Sequence, residues 1–233
     1  MPAMDELETL KRQNAELMDR LGRLEDAADI KRLQFAYGYY IDYCHYDEVV
    51  DLFAEDGEVV FLSGLYKGHK SIRRLYVDWF LQLFNQGRQD ADDGFLFDHI
   101  QMQDVITVAQ DRRTAKGRFR GILLGGSHDI RKYKPEGVPQ QFMESGIYEN
   151  DYVRVDGVWK IKRLDYMLQW QADYETGWAH TDSHLHQAQV LYPEDPLGPD
   201  VLIDRNRPTW PYRQDTPVHY AHPVVAKALA KKG

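Results

Sequence analysis

Cysteine is almost missing from this chain: Cys44 stands alone in 233 residues. No intrachain disulfide can therefore form, and a reducing compartment suits the protein. Long hydrophobic runs are missing too, since no stretch approaches the roughly 20 apolar residues of a membrane helix. The opening MPAMDELETLKRQ lacks the basic-then-apolar pattern of an export signal. The expectation is a soluble, cytoplasmic protein with no membrane partner. Basic charge is in deficit: 29 Lys and Arg face 37 Asp and Glu, for a net charge of -8 and an isoelectric point near 5.6. Nucleic-acid binders cluster cations on one face, so this balance argues against that class of partner. Internal repeats and low-complexity segments are absent. Gly125-Gly126-Ser127 is no phosphate loop, because the lysine and the following helix that such a loop needs are missing.

What is present fits one core with appendages, since 43% of the residues are hydrophobic. Residues 1–24 read as a helical arm, with Leu7, Leu10, Leu17, Leu21 and Leu24 at heptad a and d positions. The arm either packs on its own domain or meets another subunit. A helix continues from Ala27 to Tyr43, with Ile30, Leu33, Tyr37, Ile41 and Cys44 marking a buried face. A short helix over Asp47–Ala54 is expected to end in a turn at Glu55–Gly57, followed by a strand over Glu58–Leu62 and a helix over Ser71–Phe84. Beyond the polar loop NQGRQDADDG come four strand-like stretches: Phe95–Ala109, Thr114–Gly125, Gln141–Val155 and Val158–Trp170. Turns at Asp111–Arg113 and Val155–Gly157 join neighbours as hairpins, so the fold class is α+β, with helices first and an antiparallel sheet after. Residues 176–233 are proline-rich and aperiodic, yet Leu191, Tyr192, Trp210 and Tyr212 are too apolar for a solvated linker. That segment reads as an extended strap on the domain or on a neighbouring subunit.

Several residues carry chemistry. In FLFDHIQMQ, the alternate residues Phe95, Phe97, His99 and Gln101 share one strand face, which sets an imidazole among aromatics. His99 is either a proton carrier or a hydrogen-bonded core histidine. Asp42, in IDYCHYDEV, is either a functional carboxylate or a helix-end residue facing water. Tyr37, Tyr39, Tyr40, Tyr43 and Tyr46 crowd one segment, so several must be packing residues. On the Thr114–Gly125 strand, Ala115, Gly117, Phe119, Gly121 and Leu123 form the face toward the core, and Arg118 and Arg120 the other. HTDSHLH offers His180, Asp182, His184 and His186, but the run is local and aperiodic, so no metal site is assigned. Cys44 and His45 point about 100° apart on a helix, which reads as a buried inert thiol rather than a dyad.

The long helix with Asp42, the Tyr66–Gly68 turn YKG, His99 and DGVWKI together resemble the nuclear transport factor 2-like superfamily, in particular its polyketide-cyclase-like (SnoaL-like) and scytalone-dehydratase-like enzymes. The likeness covers residues 25–175. It implies a cone-shaped, strongly curved mixed sheet wrapped around the N-terminal helices and enclosing one apolar pocket. It also implies that Asp42 orients and charge-stabilises His99, and that Tyr37 donates a hydrogen bond to a departing or developing oxygen. Expected substrate contacts are Tyr40, Phe97, Tyr148, Trp79, Trp170 and Arg118, with His219 and His222 of the strap closing the mouth. Where bile-acid dehydratases carry an acidic residue on the middle strand this chain has Leu123, and where they carry a late arginine it has Leu168 or Gln169, which argues against carboxylated steroids as substrates. Relatives are often trimers, so a homo-oligomer is expected, a trimer ahead of a dimer. The helical arm and the Tyr/Pro/His-rich strap look like those of lignin-derived diarylpropane lyases. The resemblance thus implies a cofactor-independent lyase acting on a para-hydroxyphenyl compound through a quinone methide, with formaldehyde release and a stilbene product. A simple dehydratase or double-bond isomerase, and a noncatalytic binding module, remain as alternatives.

Overall fold

The computed structural model describes residues 2–180, 185, 187–204, 209–212 and 214–225. Helix α1 (Pro2–Asp42) runs unbroken for 41 residues, about 60 Å at 1.5 Å per residue. Its second half buries Ile30, Gln34, Tyr37 and Ile41 at helical spacing, while Leu7, Leu10, Leu17, Leu21 and Leu24 in its first half stay exposed. The heptad stripe therefore has no partner among the described residues. Helix α2 (Tyr46–Asp51) is shorter than the sequence suggested. Strand β1 begins at Phe53 and runs to Phe61, because Phe53 and Ala54 are buried and Phe53 already pairs with Ile161. The expected Glu55–Gly57 turn is instead an irregularity inside β1, where the register shifts between Phe53 and Glu58.

Strand β2 (Gly64–Lys67) precedes helix α3 (Gly68–Arg73), a π-helical stretch over Arg74–Leu81, and helix α4 (Gln82–Asn85). Four long strands follow: β3 (Phe95–Val108), β4 (Thr114–Ser127), β5 (Gln141–Val155) and β6 (Val158–Asp173). Together with β7 (Val201–Leu202) they form a sheet of order β3-β4-β5-β6-β1-β2-β7. The β1–β6 pair is parallel and every other pair antiparallel, so the sheet is mixed. The α+β cone expected from the sequence is the observed fold, with the second half of α1, α2 and the helices over 68–85 packed into its concave side. Among the described residues, no helix is long and apolar enough to cross a membrane.

Alternation on β4 turns Ala115, Phe119 and Leu123 inward as expected, interleaved with glycines. Gly121 matters most, since a Cβ there would lie 2.9 Å from the Tyr148 ring. Its absence lets that ring lie across β4. The strap lies on its own domain. Strand β7 pairs with β2, and buried Arg74 donates to the Gly198 carbonyl at 2.9 Å and to Asp200 at 2.7 Å. Farther along, Arg118 on the outer face of the sheet donates to Thr216 and to the Pro217 carbonyl.

Candidate active site

The concave face of the sheet encloses an aromatic pocket that is partly open to solvent. Asp42, the last residue of α1, sits where the helix dipole disfavours a carboxylate. The structure compensates with donors from the sheet: Asp42 Oδ1 accepts from the His99 backbone N–H at 2.8 Å and meets His99 Nδ1 at 2.6 Å. An ionised carboxylate only accepts, so Nδ1 carries the proton and the neutral ring keeps its lone pair on Nε2. Both side chains are largely shielded from solvent, at 14% and 10% exposure for His99 and Asp42. The His99 ring meets the Phe97 ring edge-on at 5.5 Å, and both line the pocket. Asp42 and His99, 57 residues apart, thus form an oriented pair facing an apolar chamber.

The crowded tyrosines divide clearly. Tyr39 and Tyr43 are exposed, while Tyr37 and Tyr46 are buried and line the pocket. The Tyr37 hydroxyl shares a 2.9 Å hydrogen bond with that of Tyr76, which the π-helical stretch turns inward together with Trp79 and Phe80. Burial first, then the Tyr76 hydroxyl, push the Tyr37 phenol well above its ordinary range, so Tyr37 is a neutral donor at all physiological pH. Tyr46 Oη is buried with no hydrogen-bond partner among the described residues. Tyr148 lines the pocket between Tyr37 and Tyr166, with ring centroids 6.0 and 4.7 Å away.

Of the expected contacts, Phe97, Tyr148 and Trp79 line the pocket, and three do not. Tyr40 packs partly buried on the shoulder of α1, one turn from Tyr37 and beside the stripe that faces the chamber. Arg118 points to the outer face and pairs with Glu149 at 2.8 Å, as strand alternation requires of a residue between Gly117 and Phe119. Trp170 is turned away by a bulge: Gly146 pairs with Leu168 but Ser145 with Trp170, so Gln169 has no partner in the ladder. One extra residue exchanges the faces, sending Trp170 against Trp178 and bringing Gln171 into the pocket. The strap histidines are also elsewhere. His219 Nδ1 bonds Glu149 on the outer face, and His222 Nδ1 accepts from the Val224 and Val225 amides. Among the described residues of the strap, Leu185 lines the pocket.

The sequence reading missed Glu144. This carboxylate lines the pocket, is 6% exposed, and accepts from the Tyr166 hydroxyl at 2.9 Å and from Gln171 Nε2 at 2.7 Å. Its signal was available, because Phe142, Glu144, Gly146 and Tyr148 alternate on one face and Tyr148 was already assigned inward. Glu144 is the direct cross-strand neighbour of Leu123, the position where an acidic residue was noted as missing. Gly146 keeps this corner open: a Cβ there would lie 2.3 Å from the Tyr166 ring.

Among the described residues no cluster of three or more His, Cys, Asp or Glu side chains is arranged to hold a metal. His180 lies in an exposed turn, and Asp182, His184 and His186 fall outside the described residues. Cys44 leaves the helix in a left-handed conformation (φ 60°) and is buried. Burial pushes its thiol up to about 12, which makes it unreactive at neutral pH.

Residues 22–165 match the family described as the SnoaL-like domain. No curated protein matches the chain. Among solved structures, a Novosphingobium aromaticivorans DSM 12444 protein provisionally named a scytalone dehydratase is 23% identical, over 66% of this chain and 90% of that one, with a TM-score of 0.52. The hexachlorocyclohexane dehydrochlorinase LinA-type3 from Novosphingobium barchaimii LL02 is 19% identical, over 67% and 94%, with a TM-score of 0.53. A type 2 hexachlorocyclohexane dehydrochlorinase (LinA) is 19% identical over 73% and 97%, with a TM-score of 0.52. At these identities the likeness is one of fold.

Proposed function

Because the chain belongs to the SnoaL-like domain family, whose fold hosts many chemistries, we propose from its own site that it is a cofactor-independent lyase acting on an aromatic small molecule. One observation carries the reading: the Asp42–His99 pair opens onto a chamber walled by aromatic rings. An oriented imidazole in an apolar pocket is suited to moving a proton on a neutral, hydrophobic substrate. The fold neighbours named as a dehydratase and as dehydrochlorinases are consistent with an elimination.

The substrate class we propose is a para-hydroxylated diarylpropane diol of lignin origin. His99 Nε2 takes the phenolic proton, the electron pair moves through the ring, and the benzylic C–O bond breaks to leave a quinone methide. Tyr37, backed by Tyr76, donates a hydrogen bond to an oxygen as charge develops on it. The quinone methide is the electron sink, so loss of the hydroxymethyl arm as formaldehyde restores the ring and forms the stilbene. Substrate equals stilbene plus water plus formaldehyde, with no redox partner. Incubation of the diol with wild type should produce both stilbene absorbance and formaldehyde, and His99→Ala should produce neither. Water loss without formaldehyde would make the protein a simple dehydratase, and unchanged turnover by His99→Ala would overturn the assignment of the base.

The assembly belongs to the same proposal. The exposed Leu7, Leu10, Leu17, Leu21 and Leu24 stripe reads as a coiled-coil seam without a partner among the described residues, so a homo-oligomer, a trimer first, is proposed. Removal of residues 1–24 should lower the subunit number seen in sedimentation velocity. The same number with and without the arm would refute this role for it.

A further inference from the structure

We propose that Glu144 is held as a neutral carboxylic acid and is the proton donor to the departing benzylic oxygen, the partner of the His99 base on the same wall of the pocket. This rests on the lyase reading and deepens it.

Geometry carries the assignment. His99, Leu123 and Glu144 form one cross-strand row, His99 opposite Leu123 and Leu123 opposite Glu144, and all three face the chamber. Two strand spacings, about 10 Å, separate the backbones of the two acid/base residues. In that row the apolar Leu123 stands between them. A substrate over Leu123 would present one end to His99 and the other to Glu144. Among the described residues no Lys or Arg pairs with Glu144, and its two oxygens are occupied by neutral donors, Tyr166 and Gln171. A protonated carboxyl can still accept both bonds and direct its own O–H into the pocket. Burial raises the Glu144 carboxyl, against the lowering influence of Tyr166, His99 and Gln171. The titratable groups facing it are His99 from β3, Tyr148 from its own strand, Tyr166 from β6, and Tyr37 from α1. The three phenols are all kept neutral by burial.

The proton balance closes over one turnover. As His99 takes the phenolic proton, the Glu144 O–H bond breaks, its proton joins the departing hydroxyl, and water leaves with the C–O electron pair. Glu144, now a carboxylate, takes the proton of the hydroxymethyl O–H as the C–C bond breaks and formaldehyde forms. The electron pair of that bond rearomatises the ring, and the His99 imidazolium returns its proton to the phenolate. Both residues end as they began.

Glu144→Gln tests this with little change of shape. With the diol as probe, kcat should fall about 10²–10⁴-fold with KM little changed. The falling alkaline limb of the wild-type kcat profile should be absent from the variant. Unchanged kcat, or survival of that limb, would overturn the donor role. A second readout needs no turnover. Below the ordinary glutamate value of 4.5 both folded and unfolded chains hold the proton. Above it the unfolded chain ionises first, so wild type should lose stability relative to Glu144→Gln as pH rises, until the folded-state value is passed. A gap in denaturant stability that keeps widening to neutrality supports the neutral acid, and one that levels off well below neutrality overturns it. Absence of product from wild type would overturn the lyase reading and the donor role together, and the stability gap would still show separately whether Glu144 holds its proton.

Discussion

Asp42→Asn should lower kcat on the diol by about 10²–10⁴-fold while leaving KM and the melting temperature nearly unchanged. The asparagine carbonyl can accept the same hydrogen bonds from the His99 amide and Nδ1 that Asp42 Oδ1 accepts now, so the ring stays in place. What is lost is the negative charge behind it. That charge stabilises the imidazolium formed when Nε2 takes a proton, in a site too shielded for water to substitute. Asp42 is thus a positioning residue acting through His99, and its loss belongs in kcat. A fall in KM affinity alone, or a variant as fast as wild type, would remove Asp42 from the mechanism. Far-UV circular dichroism with a thermal melt verifies that the fold is kept.

Asp26→Ala should lower stability by about 3 kcal/mol or roughly 10 °C in melting temperature, although the residue does not line the pocket. Asp26 is 1% exposed on the inner face of α1. Its carboxylate accepts from Arg112 at 2.5 Å, Arg154 at 3.1 Å and Trp159 Nε1 at 3.0 Å. Burial opposes its ionisation, but hydrogen bonds from Arg112 and Trp159 and the two guanidinium charges outweigh that and hold it below the usual carboxylate range. One side chain therefore ties the long helix to the β3–β4 turn and to the β5–β6 hairpin. Alanine leaves the Trp159 N–H without its acceptor and two part-buried cations without their anion. The arginines are about 30% exposed and can partly rehydrate, which places the cost at the lower end for a broken buried pair. A melting temperature within two or three degrees of wild type would show that the network contributes little.

The elements were legible where periodicity was uninterrupted. The stripe of Ile30, Tyr37 and Ile41, the alternation around His99, and the small inward face of β4 all stand where the pattern put them. Misreadings cluster at irregularities. The register shift after Phe53 hid the start of β1 behind what read as a helix end. The extra residue at Gln169 reversed the faces of β6, so Trp170, a contact that the resemblance implied, is turned away and Gln171 came in instead. A bulge leaves no compositional trace in one sequence, because it is selected by pairing with another strand. Glu144 was passed over for a different reason: a charged residue in a strand reads as solvent-facing unless its neighbours' faces are counted.

By itself the sequence determined the class of the molecule: one α+β core, a helix carrying Asp42, a strand carrying His99, an apolar arm and a strap. These follow from local period and composition, which act over a few residues. Only the tertiary structure decided which groups meet. It joined Asp42 to His99 across 57 residues, set Glu144 in their row two strands away, placed Tyr76 against Tyr37, and laid the strap on the outer edge of its own sheet. Those pairings depend on register and on bulges that shift it, which are properties of several strands together and of none alone.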